Sequence, residues 1–113
     1  MTIHAQGLRA WLLQRITAVY IAAFVVVILV WGFISGMPAY EQWRELIAHP
    51  VLNMAIALFI LSILFHSWVG VRDILVDYVH PVVLRVTALV LLGTFLFVMG
   101  IWALMILFSV VKL

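Results

Sequence analysis

The sequence predicts an all-α membrane protein with three transmembrane helices and a short interfacial helix between the first and second. Three observations predict it. Of the 113 residues, 69% are hydrophobic and only 9% are charged, where a water-soluble domain carries about 25% charged residues. The segments 16–40, 51–71 and 86–111 contain no Asp, Glu, Lys or Arg. Each is long enough to cross a hydrocarbon layer about 30 Å thick, which takes a helix of about 20 residues. No room is left for a soluble domain, so residues 1–113 read as a single transmembrane domain with spans near 12–34, 51–72 and 86–111.

The elements follow in order along the chain. Residues 1–11 hold His4 and Arg9 but no short apolar core ending in a small-residue cleavage site, so no cleavable signal is expected. The first span closes at Gly36-Met37-Pro38, a chain breaker. Residues 39–49 then read as the interfacial helix, with Tyr40 and Trp43 at headgroup level and Glu41, Arg44 and Glu45 toward water. Pro50 suits the first position of the second helix, whose helical character continues through the charged residues to about Val79, where Pro81 disfavours it. Lys112 closes the third span. Trp11, Trp31, Trp43 and Trp68 sit near span ends and read as an aromatic belt. Gly93, Gly100 and Ala103 read as residues that let the third helix approach a neighbour closely.

Charge sets the orientation and excludes whole function classes. The net charge of +2 comes from six scattered basic residues, which make no nucleic-acid surface. The absence of cysteine excludes disulfides, thiolate catalysis and protein-ligated iron–sulfur clusters. Arg9, Arg15, Arg72 and Arg85 flank the spans on one side, against Arg44 and Lys112 on the other. That excess predicts a cytoplasmic N-terminus and a C-terminus outside.

His66 is the residue that asks for chemistry. It lies inside the uncharged second span, where an unpaired polar group costs several kcal/mol, and an ionisable side chain at that depth marks a functional site by default. At about 100° per residue, Ala55, Phe59, Ser62, His66, Gly70, Asp73 and Asp77 share one helix face. The small Ser62 and Gly70 would admit a bulky planar group or another helix. Arg15 belongs to the same membrane side, so Arg15, Ser62, His66, Asp73, Asp77 and Tyr78 are expected to converge there.

Several roles stand open for these residues. His66 is a helix–helix hydrogen bond to a Ser or a backbone carbonyl, a member of a proton relay, or an axial ligand of haem iron. Spans one and three offer no carboxylate to continue a relay. His4, His49 and His80 lie at or outside the interfaces, so a second haem ligand would come from another polypeptide, making the chain part of a heteromeric helix bundle. Arg15 is an interfacial anchor or the partner of a haem propionate or quinone headgroup. Tyr78 is a belt residue or a hydrogen-bond donor to a quinone carbonyl. Asp77 is a solvated helix-end charge or the group that orients that phenol. Two other classes compete: a small transporter or channel subunit with His66, Asp73 and Asp77 on a proton path, and a structural assembly factor.

The segment 65-FHSWVGVRDILVDYVHP-81 resembles the membrane-anchor subunits of succinate dehydrogenase, more closely the smaller D-type than the C-type. The likeness lies in a histidine late in the second helix, a glycine four residues on, and Asp-Tyr eleven and twelve residues on, here His66, Gly70, Asp77 and Tyr78. The stretch 11-WLLQRITAVY-20 is similar to the family's approach to its first helix, with Arg15 as the basic position. The resemblance implies a haem b axial ligand at His66, ubiquinone contact by Tyr78 with Asp77 beside it, and contact of Arg15 with a haem propionate or the quinone site. It further implies a C-type, cytochrome b-type partner that supplies the second haem histidine, an iron–sulfur subunit on the cytoplasmic face, and a flavoprotein subunit beyond it. The implied setting is the bacterial inner membrane, where electrons pass from succinate to quinone in the tricarboxylic acid cycle and respiratory chain. In that setting the chain is a non-catalytic anchor.

Overall fold

The computed structural model describes residues 3–113, with side chains described from Gly7 onward, so the side chain of His4 lies outside the described residues. Four helices follow one another: α1 (Ile3–Ser35), α2 (Tyr40–Ala48), α3 (Pro50–Tyr78) and α4 (Val82–Ser109). Gly7–Ser35, α3 and α4 are each long and apolar enough to cross a membrane. The all-α, three-span expectation with a short helix after the first span therefore holds.

Two boundaries differ from the sequence reading. α1 begins at Ile3 rather than near residue 12, because the upstream stretch has no proline and is rich in helix-favouring Ala, Leu, Gln and Arg. Its 33 residues make a rod of about 50 Å at 1.5 Å per residue, the length of the whole molecule, which measures 50 × 26 × 24 Å. α1 thus outruns a 30 Å hydrocarbon layer. α4 starts one turn earlier than expected, at Val82, because Pro81 with φ −62° is its N-cap.

Local chemistry explains the breaks. Gly36 has φ +77° and its N–H donates to the Gly32 carbonyl at 2.9 Å, a left-handed helix end that a side chain would strain. α2 opens at Ala39, which has no side-chain oxygen. Only the return half of a capping box is made, the Ala39 N–H donating to Gln42 Oε1 at 3.1 Å. His49 joins α2 to α3, and its Nδ1 accepts from the Val51 N–H at 3.2 Å ahead of Pro50 in the first turn. α3 ends at Tyr78, with the Val79 N–H returning to the Leu75 carbonyl at 3.0 Å.

α3 is the central helix, and α1, α2 and α4 all pack on it. The buried apolar core is thin, comprising Ala48, Ala57, Val69 and Leu107, while large apolar side chains such as Phe33 and Val83 are exposed. That is the surface of a chain meant to face lipid or other helices. Phe24 of α1 stacks on Phe59 of α3 at 4.4 Å. On the α4 side, a Cβ on Gly100 would approach Leu64 Cδ1 to 2.6 Å, and one on Gly93 would lie 3.5 Å from the Trp68 ring. Both glycines allow close approach as expected. The Trp68 indole lies in the α3–α4 seam against Gly93. Trp31 and Trp43 meet edge to face at 6.0 Å and fasten α2 to the end of α1.

Asn53 ties this end of the molecule together. It is 2% exposed, and its Nδ2 donates to the Ile47 carbonyl and to the Leu107 carbonyl, each at 2.9 Å. Both acceptors are carbonyls from the last turns of helices, and that of Leu107 also receives the Val110 N–H at 3.5 Å. The Lys112 N–H donates to the Ala48 carbonyl at 2.9 Å and completes the closure. Asn53→Leu takes the side-chain donor from both carbonyls and leaves Leu107 only the long Val110 contact, a cost of about 1–3 kcal/mol. The expected outcome is a lower thermal unfolding midpoint in detergent followed by circular dichroism; an unchanged midpoint would show that the two bonds contribute nothing net.

Candidate functional site

The α3 stripe turns toward α1. The Tyr20 hydroxyl donates to the Ala55 carbonyl at 2.7 Å, Phe59 meets Phe24, His66 meets Thr17, and a Cβ on Gly70 would lie 3.5 Å from Gln14 Nε2. Of the two uses foreseen for a small residue here, Gly70 serves the approach of a second helix.

His66 Nδ1 lies 3.2 Å from Thr17 Oγ1. The threonine is buried, and its hydroxyl also donates to the Leu13 carbonyl at 2.8 Å, with the Gln14 carbonyl at 3.1 Å. A hydroxyl has one proton and two lone pairs. With the proton on a backbone carbonyl, the oxygen accepts from His66 Nδ1–H, the tautomer that keeps the lone pair on Nε2; with the proton turned to Nδ1 the two roles reverse. Among the described residues, Nε2 has no hydrogen-bond partner. The helix–helix bond foreseen for His66 is therefore made, to a threonine rather than a serine or a carbonyl, and it uses one ring nitrogen only.

An open cavity of about 450 Å³ lies against His66 between α1 and α3. Trp11, Gln14, Arg15, Arg72 and Asp73 contribute to its wall. The Arg15 guanidinium sits 5.5 Å from the Trp11 ring centroid, a cation–π contact that positions it without neutralising it. Arg72 Nη2 donates to Asp73 Oδ1 at 3.1 Å in a solvent-accessible pair. Gln14 Oε1 is buried with no hydrogen-bond partner among the described residues. No group of three or more His, Cys, Asp or Glu that could hold a metal ion occurs among the described residues. A larger cavity of about 550 Å³ at the opposite end, around Trp31, Glu45 and His49, includes none of the stripe residues.

Arg15, His66 and Asp73 thus share one cavity. Asp77 and Tyr78 stand outside its lining in the last turn of α3, where the Tyr78 side chain is 77% exposed. Ser62 lies deeper on the same face and does not line the cavity either. Three residues were not singled out from sequence: Gln14, Thr17 and Tyr20. Their signal was present, since polar groups recurring every three residues in an apolar helix define a face.

Comparison with known proteins gives a family to this geometry. Residues 2–84, which include α1, α2, α3 and every residue of the cavity, match the succinate dehydrogenase/fumarate reductase transmembrane subunit family. The chain is also 35% identical over 89 residues to the succinate dehydrogenase hydrophobic membrane anchor subunit of Coxiella burnetii, an alignment covering 77% of each chain. Family match, identity and a three-span helical architecture agree, and the chain belongs to the succinate dehydrogenase/fumarate reductase transmembrane subunits.

Proposed function

We propose that this chain is the hydrophobic anchor of a succinate:quinone oxidoreductase, holding haem b jointly with a cytochrome b-type partner and forming one wall of the ubiquinone-reduction site. The observation that carries this reading is His66, an imidazole in the second span with Nδ1 engaged by Thr17 and Nε2 unpartnered beside a cavity. His66 would hold the haem iron together with a histidine supplied by the partner chain. The partnered Nδ1 also fits, since ligating histidines almost always donate their other ring N–H to an acceptor. When bound, the haem supplies one-electron chemistry within the membrane.

The side chains around it take distinct tasks. Arg15, held over Trp11, has donors suited to a haem propionate or a quinone-site anion. Tyr78, exposed at the end of α3, offers its phenol O–H to a quinone carbonyl and stabilises charge developing on that oxygen. Asp77 precedes it in the same turn and orients or relays its proton. The basic residues at this end, Arg9, Arg15, Arg72 and Arg85, support a cytoplasmic position for it; on this reading the membrane is a bacterial inner membrane, with the iron–sulfur subunit docking on that face and the flavoprotein subunit beyond. The transporter reading loses ground to family membership and to Arg72, which already pairs with Asp73.

A reduced-minus-oxidised absorption spectrum of the purified complex tests the haem assignment. Wild type is expected to give b-type bands that His66→Ala abolishes; a colourless wild-type complex, or bands that survive the substitution, would refute it. Tyr78→Phe is expected to slow quinone reduction by about three- to tenfold, the worth of one hydrogen bond, while succinate oxidation by artificial acceptors is preserved. Unaltered quinone kinetics would remove Tyr78 from the site.

A further inference from the structure

We propose that Thr17 is a positioning residue for the haem, setting the tautomer and ring orientation of His66 and tuning the iron's potential through Nδ1; this rests on the haem reading above. Thr17 is the partner of His66 Nδ1 among the described residues, and it is 6% exposed, so bulk water does not compete for the contact. Its own geometry is fixed from behind. The Oγ1 bond to the Leu13 carbonyl at 2.8 Å is the i−4 back-bond available to threonine in a helix. It holds the hydroxyl in one rotamer with an acceptor lone pair turned to α3.

The consequence for iron follows from the kind of acceptor present. A carboxylate at this position would pull hard on the Nδ1 proton, give the imidazole anionic character and favour ferric iron. A hydroxyl is neutral and pulls less. Because it donates to a carbonyl at the same time, it is a better acceptor than an isolated alcohol, so Thr17 raises ligand basicity by an intermediate amount. Orientation is the second effect. The imidazole is held at one nitrogen by α1 and carried at Cβ by α3, which leaves Nε2 a single direction to face.

The test uses the intact complex and isosteric substitution. Thr17→Val keeps the shape and removes the acceptor. We expect the haem midpoint potential to rise, the low-spin ferric electron paramagnetic resonance signal to shift, and haem affinity to fall about 10–100-fold. Thr17→Ala removes the acceptor without adding bulk and should move the potential in the same direction. Thr17→Ser restores the hydroxyl and is expected to return the potential and the signal to wild-type values. A Thr17→Val or Thr17→Ala complex with wild-type potential, signal and haem content would overturn the proposal. So would a Thr17→Ser complex displaced as far as Thr17→Val, since the methyl group rather than the hydroxyl would then be what matters. Failure of the underlying haem reading looks different: the wild-type complex itself would lack b-type bands.

Discussion

A polar group inside a lipid-facing bundle must find its partner within protein, because hydrocarbon supplies none. That constraint organises the molecule. Three of its polar side chains bond across helix seams: Tyr20 to the Ala55 carbonyl, Thr17 to His66, and Asn53 to the ends of α2 and α4. In a bilayer, apolar burial gives little preference for one helix contact over another, so packing and such bonds decide which faces meet. The seams are also where bulk is lowest, at Gly70 toward α1 and at Gly93 and Gly100 on α4.

The two ends of the bundle are built differently. At one end Asn53, His49, the Trp31–Trp43 pair and the Lys112 backbone bond lock α1, α2, α3 and the tail of α4 together. Each end carries an open cavity, but at the other end the Arg15 guanidinium lies over Trp11 at the cavity wall and a helix terminus presents Asp77 and Tyr78. The cross-tied end gives α3 a fixed position, and the other end carries the groups suited to a ligand and to partner subunits. His66 sits between the two regimes, bonded on one side of its ring and available on the other.

Much of this was legible in the sequence, and the rest was hidden for a definite reason. Uncharged length gave the three spans, Gly36-Met37-Pro38 and Pro50 gave the breaks, and helical spacing gave the α3 face that includes Phe59, His66 and Gly70. What packs on that face was not legible. When lipid and neighbouring helix are equally apolar, hydrophobic periodicity no longer separates inside from outside, and the seam position of Trp68 could not be read from it. Only the polar residues inside a span report direction. His66 was read that way, whereas Thr17 and Asn53 are milder groups whose partners, a ring nitrogen and two helix-end carbonyls, come from distant parts of the chain. The early start of α1 escaped for a different reason, since its first turns are polar enough to read as a tail yet contain nothing that stops a helix.

The acceptor for His66 belongs to the same polypeptide, and this bears on how such a subunit is made. A newly inserted copy already has half of its imidazole satisfied before any other chain arrives. Thr17 lies on α1 and His66 on α3, so the contact forms when these two helices pack and asks nothing of a second chain.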